Sequence, residues 1–122
     1  MSLRKSGLHF KSERQDVNGY TALHWACHSG SYQAVRYLLA NGSDPNAQTF
    51  NERSTPLLVA MRSIMDTREV KIIHKLLLYG ADPSFSDVHG ENCVSLLSTL
   101  DDDLKHSCSD LIDNIGRGSR RN

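Results

Sequence analysis

The feature that most constrains this chain is a unit of roughly thirty residues that recurs along the sequence. Thr55–Leu58 (TPLL) match Thr21–His24 (TALH) at an offset of 34 positions. Further along, Leu76–Pro83 (LLLYGADP) match Leu38–Pro45 (LLANGSDP) at an offset of 38 positions. Self-similarity at a nearly fixed period of this length indicates a repeat protein, in which copies of one structural unit stack side by side.

Each copy is predicted to contain two short helices. In the first copy, Thr21 occupies a helix N-cap position and Gly30 ends the helix. A second helix over about residues 31–41 carries one apolar stripe, made of Ala34, Val35, Leu38 and Leu39. Isolated helices are marginal in water even at about 12–15 residues, so these apolar faces must be buried against neighbouring copies.

The second copy departs from the first between its two helices. The two offsets differ by four residues, which predicts an enlarged loop over residues 63–67, with Ile64 and Met65 exposed. Asp66, followed by Glu69 three residues later, has the pattern of a capping box and predicts the start of the second helix. We interpret the loop as a slack insertion, with a second contact patch as the alternative.

A fainter third copy begins at Asp87, 71 residues after the equivalent aspartate of the first copy. Asn92 takes the N-cap position, and Val94 and Leu97 are expected to face inward. The second helix is expected to start near residues 101–103, whose three carboxylates complement the positive end of a helix. Its apolar stripe is predicted to comprise Leu104, Cys108, Leu111, Ile112 and Ile115.

Composition narrows the class of protein. The chain has fourteen basic and fourteen acidic residues, so no global charge points to nucleic acid or to an anionic membrane. Its apolar runs are far shorter than the ~20 residues needed to span a bilayer. No apolar stretch follows the first basic residues, as it would in a secretory signal. Three cysteines without a CxxC pair suggest a reducing compartment and idle, buried thiols.

These patterns divide the chain into three parts. We expect a flexible basic leader at residues 1–15, a repeat domain at residues 16–116 and a frayed basic tail at residues 117–122. The three repeats are predicted to cover about residues 16–48, 49–86 and 87–116.

The string TALHWA…G…AVRYLLANGSDPNA of the first copy closely resembles the ankyrin repeat, with its TPLHxA…G…VxxLLxxGADxN pattern. The resemblance is specific in two copies and looser in the third, which lacks the Thr-Pro start, as terminal repeats often do. It implies an all-α fold with short β-hairpin or turn fingers, in which antiparallel helix pairs form a solenoid. The second copy departs from the pattern at Leu58, which stands where the first copy has His24, and at Arg53, where the turn lacks glycine.

Three side chains of the first copy have a spacing that resembles metal ligands. His24 and His28 are four residues apart and would share a helix face, with Cys27 between them. No further ligand is spaced nearby, and the resemblance implies instead that the His24 imidazole hydrogen-bonds neighbouring backbone and ties repeats together. Packing is therefore the favoured interpretation, and no metal or cofactor is expected.

The sequence contains no catalytic motif that we recognise. It has no GxSxG or HExxH pattern and no phosphate-binding loop, and its glycines lie at turns and helix ends. The acidic run at residues 101–103 is interpreted as a solvated helix start, because nothing around it would raise a carboxyl pKa. We therefore expect neither an enzyme nor a small-molecule substrate.

The resemblance implies where a partner would bind, since in such proteins the turn before each first helix and the end of that helix line a concave face. Carried over position by position, the expected contact residues are Val17, Asn18, Tyr20, His28 and Ser29 in the first repeat, Phe50, Asn51, Glu52, Ser54, Met61 and Arg62 in the second, and Val88, His89 and Glu91 in the third. Apolar side chains at positions that stacking does not bury commonly anchor protein interfaces. Trp25 is assigned mainly to packing between repeats.

These features support two main interpretations of function. The first is a non-catalytic adaptor or scaffold of the cytoplasm or nucleus, which binds another protein of unknown identity. The alternative is a structural segment of a longer repeat array or of a self-associating oligomer, since three repeats are close to the minimum for stability. Binding of nucleic acid or acidic lipid through the basic leader and tail is a third possibility, against which the neutral net charge argues.

Overall fold

In the computed structural model, which describes residues 14–116, the chain forms three successive helical units. The helices are α1 (Ala22–Ser29), α2 (Tyr32–Ala40), α3 (Pro56–Thr67), α4 (Val70–Leu78), α5 (Cys93–Leu96) and α6 (Asp102–Leu111). A 3-10 turn, Leu97–Thr99, follows α5, and a π-helical turn, Ile112–Gly116, follows α6. The predicted leader and tail lie outside the described residues, apart from Arg14 and Gln15.

The helices are arranged in two layers. The first helices of successive units (α1, α3 and α5) pack on one another, and so do the second helices (α2, α4 and α6). Leu23, Val35, Leu57 and Ile73 are buried at the centre of this stack. No strand occurs within residues 14–116, so the predicted all-α solenoid is confirmed and its fingers are turns.

Side-chain caps start α1, α5 and α6 where the sequence predicts them. Thr21 Oγ1 accepts the His24 N–H at 3.3 Å at the start of α1. In the third unit, the Asn92 carboxamide oxygen accepts the Ser95 N–H at 3.0 Å, and Asp101 Oδ1 accepts the Leu104 N–H at 3.0 Å. Each cap satisfies an N–H that the first turn of a helix leaves unpaired.

The predicted loop over residues 63–67 is wrong, because these residues form the last turn of α3. Leu57, Met61 and Ile64 are spaced at i, i+4 and i+7 and are all buried on one helix face. This apolar face continues past the point at which α1 ends, so packing against the core extends α3 by a turn. Met65 is exposed as expected, whereas Ile64 is buried.

The predicted start of α4 is also corrected. Its N-cap residue is Glu69 rather than Asp66, and the Glu69 side chain makes no capping hydrogen bond. Arg68 ends α3 with a positive φ of 57°, and α4 begins two residues later at Val70. The extra residues of the second unit are therefore absorbed by a longer helix and a tight turn.

In the third unit, one residue that the sequence predicts to face inward is exposed. Val94 is 56% exposed, and the buried residues of α5 are Cys93 and Leu96. Since α5 is four residues long, only a single i, i+3 pair faces the core. Three residues of the stripe predicted for α6, Leu104, Cys108 and Ile112, are buried, and Leu111 and Ile115 are partly buried.

A buried histidine joins the first two units. His24 Nδ1 accepts the Thr21 N–H at 3.0 Å, and His24 Nε2 lies 2.9 Å from the Ser54 carbonyl oxygen. Because a carbonyl only accepts, this geometry assigns the ring proton to Nε2. Burial lowers the pKa of His24, although its contact with the Ser54 backbone opposes that shift. The expectation that this imidazole ties repeats together is confirmed.

The turns before the first helices form three fingers, which we define as finger 1 (residues 14–20), finger 2 (residues 48–54) and finger 3 (residues 85–91). The Phe50 N–H of finger 2 donates to the Asn18 carbonyl of finger 1 at 3.0 Å. The Val88 N–H of finger 3 donates to the Glu52 carbonyl of finger 2 at 2.9 Å. Backbone hydrogen bonds therefore join neighbouring fingers into a row.

Finger 1 lies close against finger 2 at Gly19. Its φ is +87°, and a Cβ placed there would lie 2.5 Å from the Phe50 backbone nitrogen. Gly90 occupies the equivalent position of finger 3, has a similar φ of +80° and has open space where a Cβ would be. Both glycines therefore need a positive φ, but only Gly19 also needs the absence of a side chain.

We expect Gly19→Ala to destabilise the domain by about 2 kcal/mol or more, because displacement of finger 2 adds to the ~1–2 kcal/mol cost of a left-handed alanine. Gly90→Ala is expected to cost only the ~1–2 kcal/mol of placing an alanine in the left-handed region. Urea unfolding followed by circular dichroism measures both variants. Equal losses of stability would contradict the close contact between fingers 1 and 2.

Candidate partner-binding face

Each finger exposes one large apolar side chain. Val17 of finger 1 is 89% exposed, Phe50 of finger 2 is 55% exposed and Val88 of finger 3 is 50% exposed. Val17 and Val88 occupy equivalent positions 71 residues apart, and Phe50 belongs to the finger between them. Because the fingers are hydrogen-bonded to their neighbours, these side chains form an apolar row on an ordered backbone.

Polar side chains surround this row. An open depression of about 260 Å³ lies between fingers 1 and 2 and is lined by Asn18, Tyr20, Thr49, Asn51 and Glu52. Four of these five residues are predicted contact residues, so the structure brings them to one place. His89 and Glu91 are exposed on finger 3, and His28 and Ser29 are exposed at the end of α1.

An aromatic cluster lies at the first unit. Tyr20 stacks on Trp25 with ring centroids 4.8 Å apart, and His28 meets the Trp25 ring edge-on at 5.9 Å. The Trp25 indole N–H donates to Asp16 Oδ2 at 3.1 Å. The Tyr20 N–H is the main cause that holds the pKa of Asp16 below its usual range, so this carboxylate is a stable acceptor.

Trp25 belongs to this face although we assigned it mainly to packing. Its side chain is 49% exposed, and with Val17 and Tyr20 it lines an open depression of about 560 Å³ beside finger 1. The sequence did contain a signal, because Trp25 precedes His28 by three positions and therefore shares a helix face with a predicted contact residue.

Two of the predicted contact residues are buried, which corrects the expectation that they face a partner. Ser54 and Met61 are each 1% exposed. The Ser54 carbonyl is the acceptor for His24, and Met61 packs on the core face of the lengthened α3. Both side chains stabilise the stack, so neither lies on the surface available to a partner.

Arg62, also predicted to contact a partner, links the second unit to the third. Its Nη1 donates to Ser54 Oγ at 2.9 Å, and its Nη2 donates to the carboxylate of Asp87. The Glu91 carboxylate lies 3.9 Å from the same Nη2. The Arg62 side chain remains 32% exposed, whereas the Asp87 side chain has no exposed surface. This arrangement is an ion pair that fixes finger 3 to α3.

The buried carboxylate of Asp87 also organises finger 3. Its Oδ1 accepts the His89 N–H at 2.8 Å and the Glu91 N–H at 3.0 Å. Burial works to raise the pKa of Asp87, but these two N–H groups and the Arg62 guanidinium together hold it below the usual value. Asp87 is therefore ionised at neutral pH and depends on Arg62 for its counter-charge.

The three cysteines are free and buried, as expected. Burial raises the pKa of Cys93 to about 12 and that of Cys108 to about 11, and it raises the pKa of Cys27 as well. Thiols with such values carry almost no thiolate at neutral pH and are poor nucleophiles. Residues 14–116 hold no group of three or more side chains arranged to bind a metal ion.

The helices within residues 14–116 are all too short and too polar to cross a lipid bilayer.

We expect Arg62→Gln to reduce the free energy of unfolding by about 2 kcal/mol, because Asp87 would remain buried without its counter-charge. Arg36→Gln is the matched control, since Arg36 is exposed on α2 and forms no ion pair within residues 14–116. Its effect should stay within about 0.5 kcal/mol. Chemical unfolding of both variants provides the measurement, and equal stabilities would refute the assignment of Arg62 to the stack.

Comparison with known proteins agrees with this architecture. The family model described as ankyrin repeats (3 copies) matches residues 3–87. Over 86 residues the chain is 37% identical to palmitoyltransferase AKR1 of Lachancea kluyveri, a match that covers 70% of this chain and 11% of the relative. Over 110 residues it is 32% identical to human BCL-6 corepressor-like protein 1, covering 86% of this chain and 6% of the relative.

A third relative is human ankyrin repeat domain-containing protein 40, which is 39% identical over 62 residues, or 51% of this chain and 17% of the relative. The chain therefore spans less than a fifth of the length of each of these relatives. Ankyrin repeats are protein-interaction modules and are generally non-catalytic. By its matching family model, its two layers of helices and its row of fingers, the chain belongs to the ankyrin-repeat family.

Proposed function

We propose that the chain is a non-catalytic adaptor or scaffold module that binds another protein through its three fingers and the exposed end of α1. The observation that carries this proposal is the row of Val17, Phe50 and Val88, which are exposed on fingers joined by backbone hydrogen bonds. Exposed apolar side chains gain free energy when a partner covers them and removes them from water.

The chemistry around the row supports recognition of a folded or extended protein segment. Interfaces combine an apolar centre with a polar rim, and aromatic residues supply most of their anchors. Here Phe50 and the Tyr20–Trp25 stack supply aromatic surface, while Asn18 and Asn51 offer amide donors and acceptors beside it. The fingers are already ordered, so a partner would pay little to fix them on binding.

The contact set that we propose follows from the exposed positions. It keeps the predicted residues that lie at the surface, adds Trp25, and omits Ser54, Met61 and Arg62, which stabilise the stack. The set is Val17, Asn18, Tyr20, Trp25, His28, Ser29, Phe50, Asn51, Glu52, Val88, His89 and Glu91.

The proposed compartment is the cytoplasm or the nucleus. All three cysteines are free and buried, and a disulfide-poor domain of this size is typical of a reducing environment.

A second candidate function is a structural segment of a longer repeat array or of an oligomer. Its support is that the relatives match this chain over only 6–17% of their own length, so their matching segments are parts of much larger proteins. Trp25 is also half-exposed on the first unit, where another repeat could cover it. Analytical ultracentrifugation separates the two candidates, since an adaptor is expected to sediment as a monomer at micromolar concentration.

For the adaptor function, we expect the double variant Val17→Ser/Phe50→Ser to lose binding of its protein partner by about 2 kcal/mol or more, which is roughly a thirtyfold rise in Kd. The matched control is Met65→Ser/Val94→Ser, because these apolar side chains are 44% and 56% exposed but lie on α3 and α5 rather than on the fingers.

The measurement is affinity capture from cell lysate with wild type and both variants, followed by calorimetric titration of the captured protein. The adaptor proposal requires a partner that the control retains and the finger variant loses. A partner that binds the wild type and both variants equally would exclude the fingers as the binding site.

A further inference from the structure

The outer faces of α2 and α4 carry positive charge and no acidic residue. Within residues 14–116, thirteen Asp or Glu outnumber eight Lys or Arg. The residues of α2 and α4 nevertheless include Arg36, Lys71 and Lys75 and contain no Asp or Glu. His74 occupies the position of α4 that corresponds to Arg36 of α2, 38 residues earlier. A basic surface therefore lies on a part of the chain that is otherwise acidic.

The two lysines of α4 converge on a tyrosine of α2, because α2 packs directly on α4. The Lys71 Nζ lies 5.2 Å from the centroid of the Tyr32 ring, and the Lys75 Nζ lies 6.0 Å from it. Both distances are within the ~6 Å range at which an aromatic face attracts a cation. One tyrosine of the first repeat thus holds two ammonium groups of the second repeat close together.

These cations have no acidic partner within the described part of the chain. The ion pairs found there belong to Arg62 and Arg68, and none involves Arg36, Lys71 or Lys75. Arg36 and Lys71 are exposed, and Lys75 is partly exposed. Their charge is therefore directed at whatever approaches from solvent.

Large apolar side chains are exposed on the same two helices. Tyr37 of α2 is 57% exposed, and Leu78 of α4 is 53% exposed. Tyr37 also corresponds in position to Lys75 of the next repeat, so equivalent positions of the two helices hold an aromatic side chain and a cation. Such a surface suits a ligand that presents carboxylates together with apolar side chains.

We propose that this surface, made of Tyr32, Arg36, Tyr37, Lys71, His74, Lys75 and Leu78, binds an acidic segment of a partner protein. It lies on the second helices, whereas the proposed adaptor site lies on the fingers and the first helix, so neither site requires the other. The partner contributes Asp or Glu side chains to the three cations and apolar side chains to Tyr37 and Leu78.

The extent of the positive charge favours a protein segment over other anions. Proteins that bind duplex DNA typically neutralise about 6–10 phosphates, and basic clusters that hold anionic membranes contain about 4–8 Lys or Arg. This surface offers three such residues on α2 and α4. The flanking chain is acidic, with Glu69 directly before α4 and Asp102, Asp103 and Asp110 on the neighbouring helix α6. A short acidic segment fits this limited area.

The test uses the 122-residue chain and a short fluorescent peptide in which glutamates alternate with tyrosine and leucine. Wild type is expected to bind this peptide in a salt-sensitive manner and not to bind the matched glutamine peptide. Lys71→Gln/Lys75→Gln should weaken binding about fivefold or more, as expected for the loss of two exposed ion pairs. Arg14→Gln/Arg53→Gln makes the same change of net charge on the fingers, away from the surface, and should retain binding within about twofold.

Circular dichroism melts establish that both variants fold like the wild type, since all four substituted side chains are at least partly exposed. Failure of the wild type to bind the glutamate peptide would overturn the proposal, as would equal weakening in the two variants. Tighter, lysine-dependent binding of single-stranded oligothymidylate or of phosphatidylserine vesicles would assign the surface to nucleic acid or to membrane and would also overturn it. Self-association that the lysine substitutions abolish would assign the surface to a second copy of the chain and would overturn the proposal too.

Discussion

The position of the fingers depends on one buried imidazole. His24 receives the Thr21 N–H at 3.0 Å on one ring nitrogen and reaches the Ser54 carbonyl at 2.9 Å with the other. The first contact fixes the start of α1, and the second fixes the end of finger 2, so one side chain sets two repeats in register. All three residues are buried, and a buried polar group that loses its partner costs about 1–3 kcal/mol. These contacts require a neutral His24 ring, because a protonated Nδ1 could not accept the Thr21 N–H.

The second and third repeats are joined by an ion pair instead of a histidine, and this contact also fixes a finger to the neighbouring repeat. Leu58 stands where a second such histidine would be, and Arg62 instead spans from Ser54 to the buried carboxylate of Asp87. Ser54 takes part in both connections, through its carbonyl and through its hydroxyl. The fingers are therefore held by contacts that lie beneath them, and Val17, Phe50 and Val88 remain exposed.

The architecture was predictable from the sequence because it rests on local signals that repeat. The caps at Thr21 and Asn92 follow from residue type and spacing, whereas the role of His24 follows from the resemblance to the ankyrin repeat. Residues 63–67 were not predictable in this way, because four extra residues can lengthen either a loop or a helix, and here the burial of Ile64 adds a turn to α3. The misplacement of Met61 has a different cause. Counted from the caps Thr21 and Thr55, Met61 corresponds to Cys27, which is buried as well. Arg62 corresponds to the exposed His28 and meets an aspartate from the next finger.

The most direct test of this account is an NMR titration of the His24 ring. We predict an Nε2-protonated tautomer and a titration midpoint below the ordinary value of 6.5, because burial disfavours the charged ring. With the folded pKa below the unfolded one, the unfolded chain takes up the proton first as the pH falls. The contribution of His24 to stability is then retained above about pH 6.5 and decreases below it. A midpoint at or above 6.5, or a proton on Nδ1, would contradict the claim that this ring joins the repeats.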